Sequence, residues 1–168
     1  MCHPSLSWKV AQADFKRPES VLVVIYTRTG QVLLLERTQP KGFWQSVTGS
    51  LRRDESAADA AQREVEEETG IVAAILQDSP VDTLIDTGIK HRFPILPEWR
   101  SRYAPDVESN LEHLFYLPLE SPCTVRLNPD EHMNHQWLPW SESASRVFSW
   151  TNRDAILALE SMLPRAIC

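Results

Sequence analysis

The stretch that organises this chain is residues 44–72, WQSVTGSLRRDESAADAAQREVEEETGIV. Residues 57–69 are rich in alanine and contain no Gly or Pro, which favours a helix. Positions three and four apart are neighbours on a helix surface, so Glu64, Glu67 and Glu68 would lie on one side. The stretch therefore predicts an α-helix that carries three carboxylates together.

The ends of this helix are marked in the sequence. Ser56 followed by Asp59 is typical of a capping box, in which the Ser hydroxyl accepts a bond from an unpaired backbone N–H. Gly70 would end the helix in a left-handed conformation. Upstream, Gly49 allows the backbone to approach a ligand or an ion closely. The predicted unit is a strand, a glycine loop, an acidic helix and a glycine stop.

The clustered charge of the helix needs a physical explanation. Ala57, Ala61 and Val65 form an apolar stripe next to the acids. Carboxylates beside a buried stripe repel one another and lose solvation, which a divalent cation would compensate. Since Mg²⁺ prefers oxygen ligands, we expect a Mg²⁺ site here. A solvated helix with pairs such as Arg63 and Glu67 is the plain alternative.

Bulk properties limit the classes of protein. A chain of 168 residues suffices for one domain, and we expect an N-terminal tail at 1–14 and a single domain at 15–168. A net charge of −6 argues against nucleic acid or anionic lipid as partner. The three cysteines are scattered without metal or disulfide spacing, and no signal peptide or membrane span is visible. We expect a cytoplasmic monomer.

The remaining sequence reads mainly as strands. Residues 21–26 are β-branched and apolar, and residues 31–38 follow after a turn as a hairpin partner. Further strands are predicted at 44–52, 71–79, 81–93, 111–119, 124–127 and 135–140. Residues 150–163 predict a closing helix, with Thr151 or Asn152 as its cap. These elements indicate an α/β (α+β) domain with a mixed sheet between helices.

Two regions outside the acidic helix carry candidate site residues. Residues 93–110 contain three prolines and no period, together with aromatic rings that stack on heterocycles and arginines that bind phosphate. This composition predicts a binding loop. Glu131 and His132 follow a turn and would suit a metal ligand or a base. Lys16 and Arg37 would place cations at strand ends.

The spacing Gly49, Glu55, Arg63-Glu64-Val65, Glu67-Glu68, Gly70-Ile71 resembles a complete Nudix box. The chain is therefore similar to the Nudix family, whose fold is a mixed β-sheet sandwiched between helices. Membership implies Mg²⁺-dependent hydrolysis of a nucleoside diphosphate linked to another group.

Further segments resemble one branch of that family, the bacterial dihydroneopterin triphosphate diphosphatases. They are KRP at 16–18, FWQSVTGS at 43–50, RSRYAP at 100–105, EH at 131–132 and SWTNR at 149–153. The resemblance implies release of pyrophosphate from 7,8-dihydroneopterin triphosphate, a step of folate synthesis. It implies Glu64, Glu68 and Glu131 as metal ligands. The substrate-binding residues that it implies are Lys16, Arg37, Thr48, Phe93, Pro94, Ile95, Leu96, His132 and Ser149.

Several alternatives stay open at this level. Either Glu64 or Glu67 could take a proton from the attacking water. A (deoxy)nucleoside triphosphate pyrophosphatase that removes dATP or oxidised dGTP is a second function, since pterin and guanine share a 2-amino-4-oxo pyrimidine edge. A non-catalytic nucleotide-binding module on the same fold is a third.

Overall fold

The computed structural model describes residues 15–74 and 81–165. Its strands are β1 (Glu19–Thr27), β2 (Gln31–Arg37), β3 (Trp44–Gln45), β4 (Val47–Ser50), β5 (Ile85–Pro94), β6 (Ser109–Leu119) and β7 (His132–Pro139). Its helices are α1 (Ala57–Thr69), a 3₁₀ helix (Pro97–Arg102), α2 (Trp140–Arg146), α3 (Trp150–Leu157) and α4 (Leu159–Met162). The predicted tail at 1–14, most of the predicted strand at 71–79, Cys2 and Cys168 lie outside the described residues.

The described strands form one mixed sheet with helices on both faces. β1 pairs in parallel with β6 along its whole length, and antiparallel with β4 at one end and β2 at the other. β1 and β2 pair next to the turn that joins them. Farther from this turn, β4 pairs with β1 and β3 pairs with β2. One apolar cluster packs the sheet against α1, and a second packs its opposite face against the C-terminal helices. The predicted sandwich is confirmed.

The acidic helix forms as its sequence predicts. Ser56 is the N-cap, and its hydroxyl accepts a hydrogen bond from the Asp59 backbone N–H at 3.1 Å. Gly70 is the C-cap, with φ of 74°, a conformation that a side chain disfavours. No helix of the described part of the chain is long and apolar enough to cross a bilayer.

Two predicted strands and loops differ from the structure. Residues 124–127 form no strand, because the Arg126 backbone N–H bonds to the Thr69 carbonyl at the end of α1. Their alternating Val125 and Leu127 pack on the α1 cluster. The strand expected at 81–93 is a ten-residue strand that includes Pro94, where a missing N–H is tolerated at the strand end. The predicted loop is thus shorter and includes the 3₁₀ helix.

The C-terminal prediction was wrong in its details. The closing helix is capped by Ser149, whose hydroxyl accepts a bond from the Asn152 N–H at 3.1 Å. Thr151 and Asn152 instead lie in its first turn, buried. The helix is also interrupted at Ala158, and the helix α2 that precedes it was not predicted.

Candidate active site

A cleft of about 870 Å³ opens at one end of the sheet. β1, β6 and β7 begin at this end and β2 and β5 finish there, as the pairs Arg37 with His132 and Pro94 with Ser109 show. Residues distant in sequence therefore meet at one place. Every site residue predicted from the sequence lines this cleft: Lys16, Arg37, Thr48, Glu64, Glu67, Glu68, Phe93, Pro94, Ile95, Leu96, Glu131, His132 and Ser149.

α1 contributes the acidic wall of the cleft. Glu64 is 8% exposed and Glu68 is 2% exposed, whereas Glu67 lies at the surface. Burial raises the pKa of both buried carboxyls, and for Glu68 the charges of Glu64 and Glu131 raise it further. Oε2 of Glu68 has no hydrogen-bond partner among the described residues. A buried carboxylate that is crowded by other acids and has an unpaired oxygen is costly unless a cation binds it.

Arg63 fixes the loop that precedes the helix. Its guanidinium donates to both Glu55 carboxylate oxygens at 2.7 and 2.9 Å, and to the Ser50 carbonyl at 3.1 Å. It also donates to Glu64 at 2.7 Å and to Glu67 at 3.2 Å. The bonds from Arg63 lower the pKa of Glu55 to about 2. The ion pair between Arg63 and Glu67 within the helix is present. Most bonds of Arg63, however, join the preceding loop to the acidic wall.

Three residues bring metal-ligating atoms together. Within the described residues, ligand atoms of Glu68, Glu131 and His132 lie within 4.8 Å of one another. Burial and the nearby Arg37 lower the pKa of His132 to about 4, so its ring is neutral at pH 7. Neither ring nitrogen has a partner among the described residues. Two carboxylates and a neutral imidazole suit a divalent cation.

This group differs from the predicted ligand set in one member. Glu64 was predicted together with Glu68 and Glu131, and it lies in the same cleft, bonded to Arg63. The family resemblance placed His132 on the substrate side, although its position after a turn also suited a metal ligand or a base. The pairing of β7 with the end of β2 places it beside Arg37, which sequence spacing does not reveal.

Cations and aromatic rings form the other sides. Burial, and the charge of Arg102, lower the pKa of Lys16. Phe43 and Phe148 contact each other at the cleft in a tilted arrangement, with ring centroids 4.9 Å apart. Trp150 also lines the cleft and is 49% exposed. Arg102 lines the cleft, as expected of the arginines in the predicted binding loop. Sequence reasoning missed the contributions of Phe148 and Trp150, although SWTNR had been noted as a motif.

The last of these motifs is also a structural joint. Asn152 is 2% exposed and reaches across to the link between β3 and β4. Its Oδ1 accepts from the Ser46 backbone N–H at 2.9 Å, and its Nδ2 donates to the Ser46 hydroxyl at 2.8 Å. The pair of bonds holds the first turn of α3 against the cleft floor.

Known proteins match both the sequence and the fold. A family model described as the NUDIX domain matches residues 16–159. The dihydroneopterin triphosphate diphosphatase of Escherichia coli strain K12 is 43% identical over 143 residues, covering 84% of this chain and 91% of that protein. The Haemophilus influenzae protein of the same name is 36% identical over 144 residues, covering 85% and 87%.

A solved structure, that of the E. coli dihydroneopterin triphosphate pyrophosphohydrolase, has a TM-score of 0.73 and 40% identity. The match covers 86% of this chain and 95% of that one. The resemblance carried by the glycine loop and acidic helix is thereby confirmed over most of the described chain. With its sheet, its acidic helix and these relatives in agreement, this chain belongs to the Nudix family.

Proposed function

We propose that this protein is a Mg²⁺-dependent hydrolase that converts 7,8-dihydroneopterin triphosphate to the monophosphate and pyrophosphate, a step of folate synthesis. The observation that carries the proposal is the single cleft that gathers the acids, cations and rings predicted from the sequence. The names of the two relatives support the pterin substrate. The loop residues Phe93, Pro94, Ile95 and Leu96, with Ser149, would border the substrate.

The residues of the cleft divide the work of the reaction. Glu68 and Glu131 would hold the cation, with Glu64 and His132 beside them. When bound, Mg²⁺ would neutralise phosphate charge and position a water molecule. Either Glu64 or Glu67 would accept a proton from that water. Lys16 and Arg37 would stabilise the charge of the departing pyrophosphate.

A substrate panel tests the proposal. Dihydroneopterin triphosphate and each ribo- and deoxyribonucleoside triphosphate are compared at equal Mg²⁺, and pyrophosphate and orthophosphate are measured separately. We expect the highest kcat/KM on the pterin substrate, because only groups that meet the heterocycle can distinguish triphosphates. We expect pyrophosphate as the primary product. Equal efficiency on all substrates, or primary release of orthophosphate, would contradict the proposal.

Glu131 gives a second prediction, because it is exposed yet lies beside buried Glu68. Glu131→Gln should raise the Mg²⁺ concentration needed for half-maximal activity by about tenfold, since one charged ligand is lost. The measurement is a Mg²⁺ titration of initial rate. Asp130→Asn is the control, since this neighbouring acid is exposed and outside the cleft. Identical metal dependence of both variants would show that Glu131 is an ordinary surface acid.

A further inference from the structure

Two polar residues of β6 lie in the cleft without a role in the chemistry above. Asn110 is 5% exposed and Glu112 is 6% exposed, and both line the cleft. They are two positions apart on one strand, so both side chains project from the same face, about 7 Å apart along it. Oδ1 of Asn110 and Oε1 of Glu112 have no hydrogen-bond partner among the described residues.

In each side chain, one polar atom has a hydrogen-bond partner and one oxygen has none among the described residues. Nδ2 of Asn110 donates to the Ser20 hydroxyl at 2.7 Å. Glu112 is hydrogen-bonded to the Thr151 side chain. The protein thus fixes the orientation of both groups and leaves one acceptor oxygen on each. Buried acceptors that remain unpaired are unfavourable. Native structures contain few of them, so two such acceptors on one strand need an explanation.

The chemistry of these oxygens limits what could pair with them. A carboxylate and an amide oxygen would repel the phosphate chain of the substrate. Neither Asn110 nor Glu112 belongs to the group of metal-ligating residues found within the described chain. What remains is a neutral group rich in N–H donors, which is the character of an aminopyrimidinone ring.

We propose that Asn110 and Glu112 form the heterocycle subsite and accept hydrogen bonds from the ring N–H and 2-amino groups of the pterin. This inference rests on the proposed function and deepens it by naming specificity-determining residues. Guanine presents the same pair of donors. Adenine presents a ring nitrogen lone pair beside its amino group, which would face an acceptor oxygen unfavourably.

Burial is consistent with this role. It raises the pKa of Glu112, opposed by the Thr151 hydrogen bond. N–H donors of a bound ring would favour the ionised carboxylate, since hydrogen bonds to the charged form stabilise it.

The test replaces the free acceptor and compares substrates. Glu112→Met removes both oxygens at nearly constant length, and should lower kcat/KM for dihydroneopterin triphosphate by about tenfold or more, mainly through KM. The value for dATP should not fall, because the removed acceptor is one that adenine faces unfavourably. Glu112→Gln can turn its amide oxygen to the ligand and should retain part of the preference. Glu108→Met is the control, because Glu108 is an exposed acid on the same hairpin and outside the cleft.

Two further measurements keep the inference testable. Asn110→Ser removes the amide oxygen that would reach the ring, and should reduce the pterin preference even if Glu112→Met does not fold. Inhibition by 7,8-dihydroneopterin, which lacks phosphate, should weaken about tenfold in both variants, independently of the phosphate and metal contacts.

The outcomes separate this inference from the proposed function. If the wild-type enzyme shows no preference for the pterin substrate, both the proposed function and this inference are contradicted. A wild-type preference that survives both Glu112→Met and Asn110→Ser leaves the function standing and overturns the inference. An equal loss on pterin substrate and dATP, with a lower Tm, would show that the pair is structural and also overturns it.

Discussion

Glu68→Gln should lower turnover by about a hundredfold or more while the protein stays folded. Glu68 is 2% exposed and lines the cleft, and its Oε2 has no partner among the described residues, so one oxygen is left to bind a cation. Burial, Glu64 and Glu131 raise the pKa of this carboxyl, which means that the charged form is strained without a cation. A neutral amide of the same shape relieves that strain and removes the ligand charge.

Two measurements check this result. Steady-state kinetics over a Mg²⁺ series should show the loss of turnover, and thermal unfolding without metal should show a Tm no lower than that of the wild type. Glu66→Gln is the matched control, because it makes the same change on an exposed position of the same helix. Near-wild-type turnover of Glu68→Gln at limiting Mg²⁺ would mean that the assigned site is wrong.

Gly49→Ala should reduce activity by about a hundredfold, because the added methyl group would displace the neighbouring Glu64 side chain. A Cβ at position 49 would lie 1.9 Å from Cδ and 2.0 Å from Oε1 of Glu64, which is far inside contact distance. The Glu64 side chain would have to leave its place and its bond to Arg63. Displacement of a catalytic group by about 1 Å can cost a hundredfold in rate.

A double-mutant cycle tests that explanation. If Gly49→Ala acts by displacing Glu64, then adding it to Glu64→Gln should lower kcat little further, because both changes disturb one group. Circular dichroism and Tm should stay close to those of the wild type, since the flexible end of a side chain can move aside. Full activity of Gly49→Ala, or losses that multiply in the double variant, would contradict the proposed contact.

The sequence by itself determined the elements whose signals are local. The acidic helix is specified by its alanines, by the cap at Ser56 and by the stop at Gly70, and each acts within about four residues. β1 and β2 are specified by apolar runs joined by a short turn. The complete box also identified the family, because a long pattern of fixed spacing is specific.

Predictions from local sequence were wrong where a hydrogen bond to a residue distant in the chain decides the conformation. Residues 124–127 have the alternation of a strand, yet their backbone pairs with the end of α1. Thr151 and Asn152 are good capping residues, but Asn152 bonds to Ser46, more than a hundred positions away, and Ser149 takes the cap. In both cases a distant hydrogen bond overrides the local preference.

Only the tertiary structure decided which side chains meet in the cleft. His132 joins Glu68 and Glu131 because β7 pairs with the end of β2, and Asn110 and Glu112 face the same cleft because β6 lies parallel to β1. Strand register is set by contacts between residues far apart in the chain, so neither neighbour is visible in the local sequence. The sequence therefore specified the acidic helix, whereas the sheet register specified the rest of the site around it.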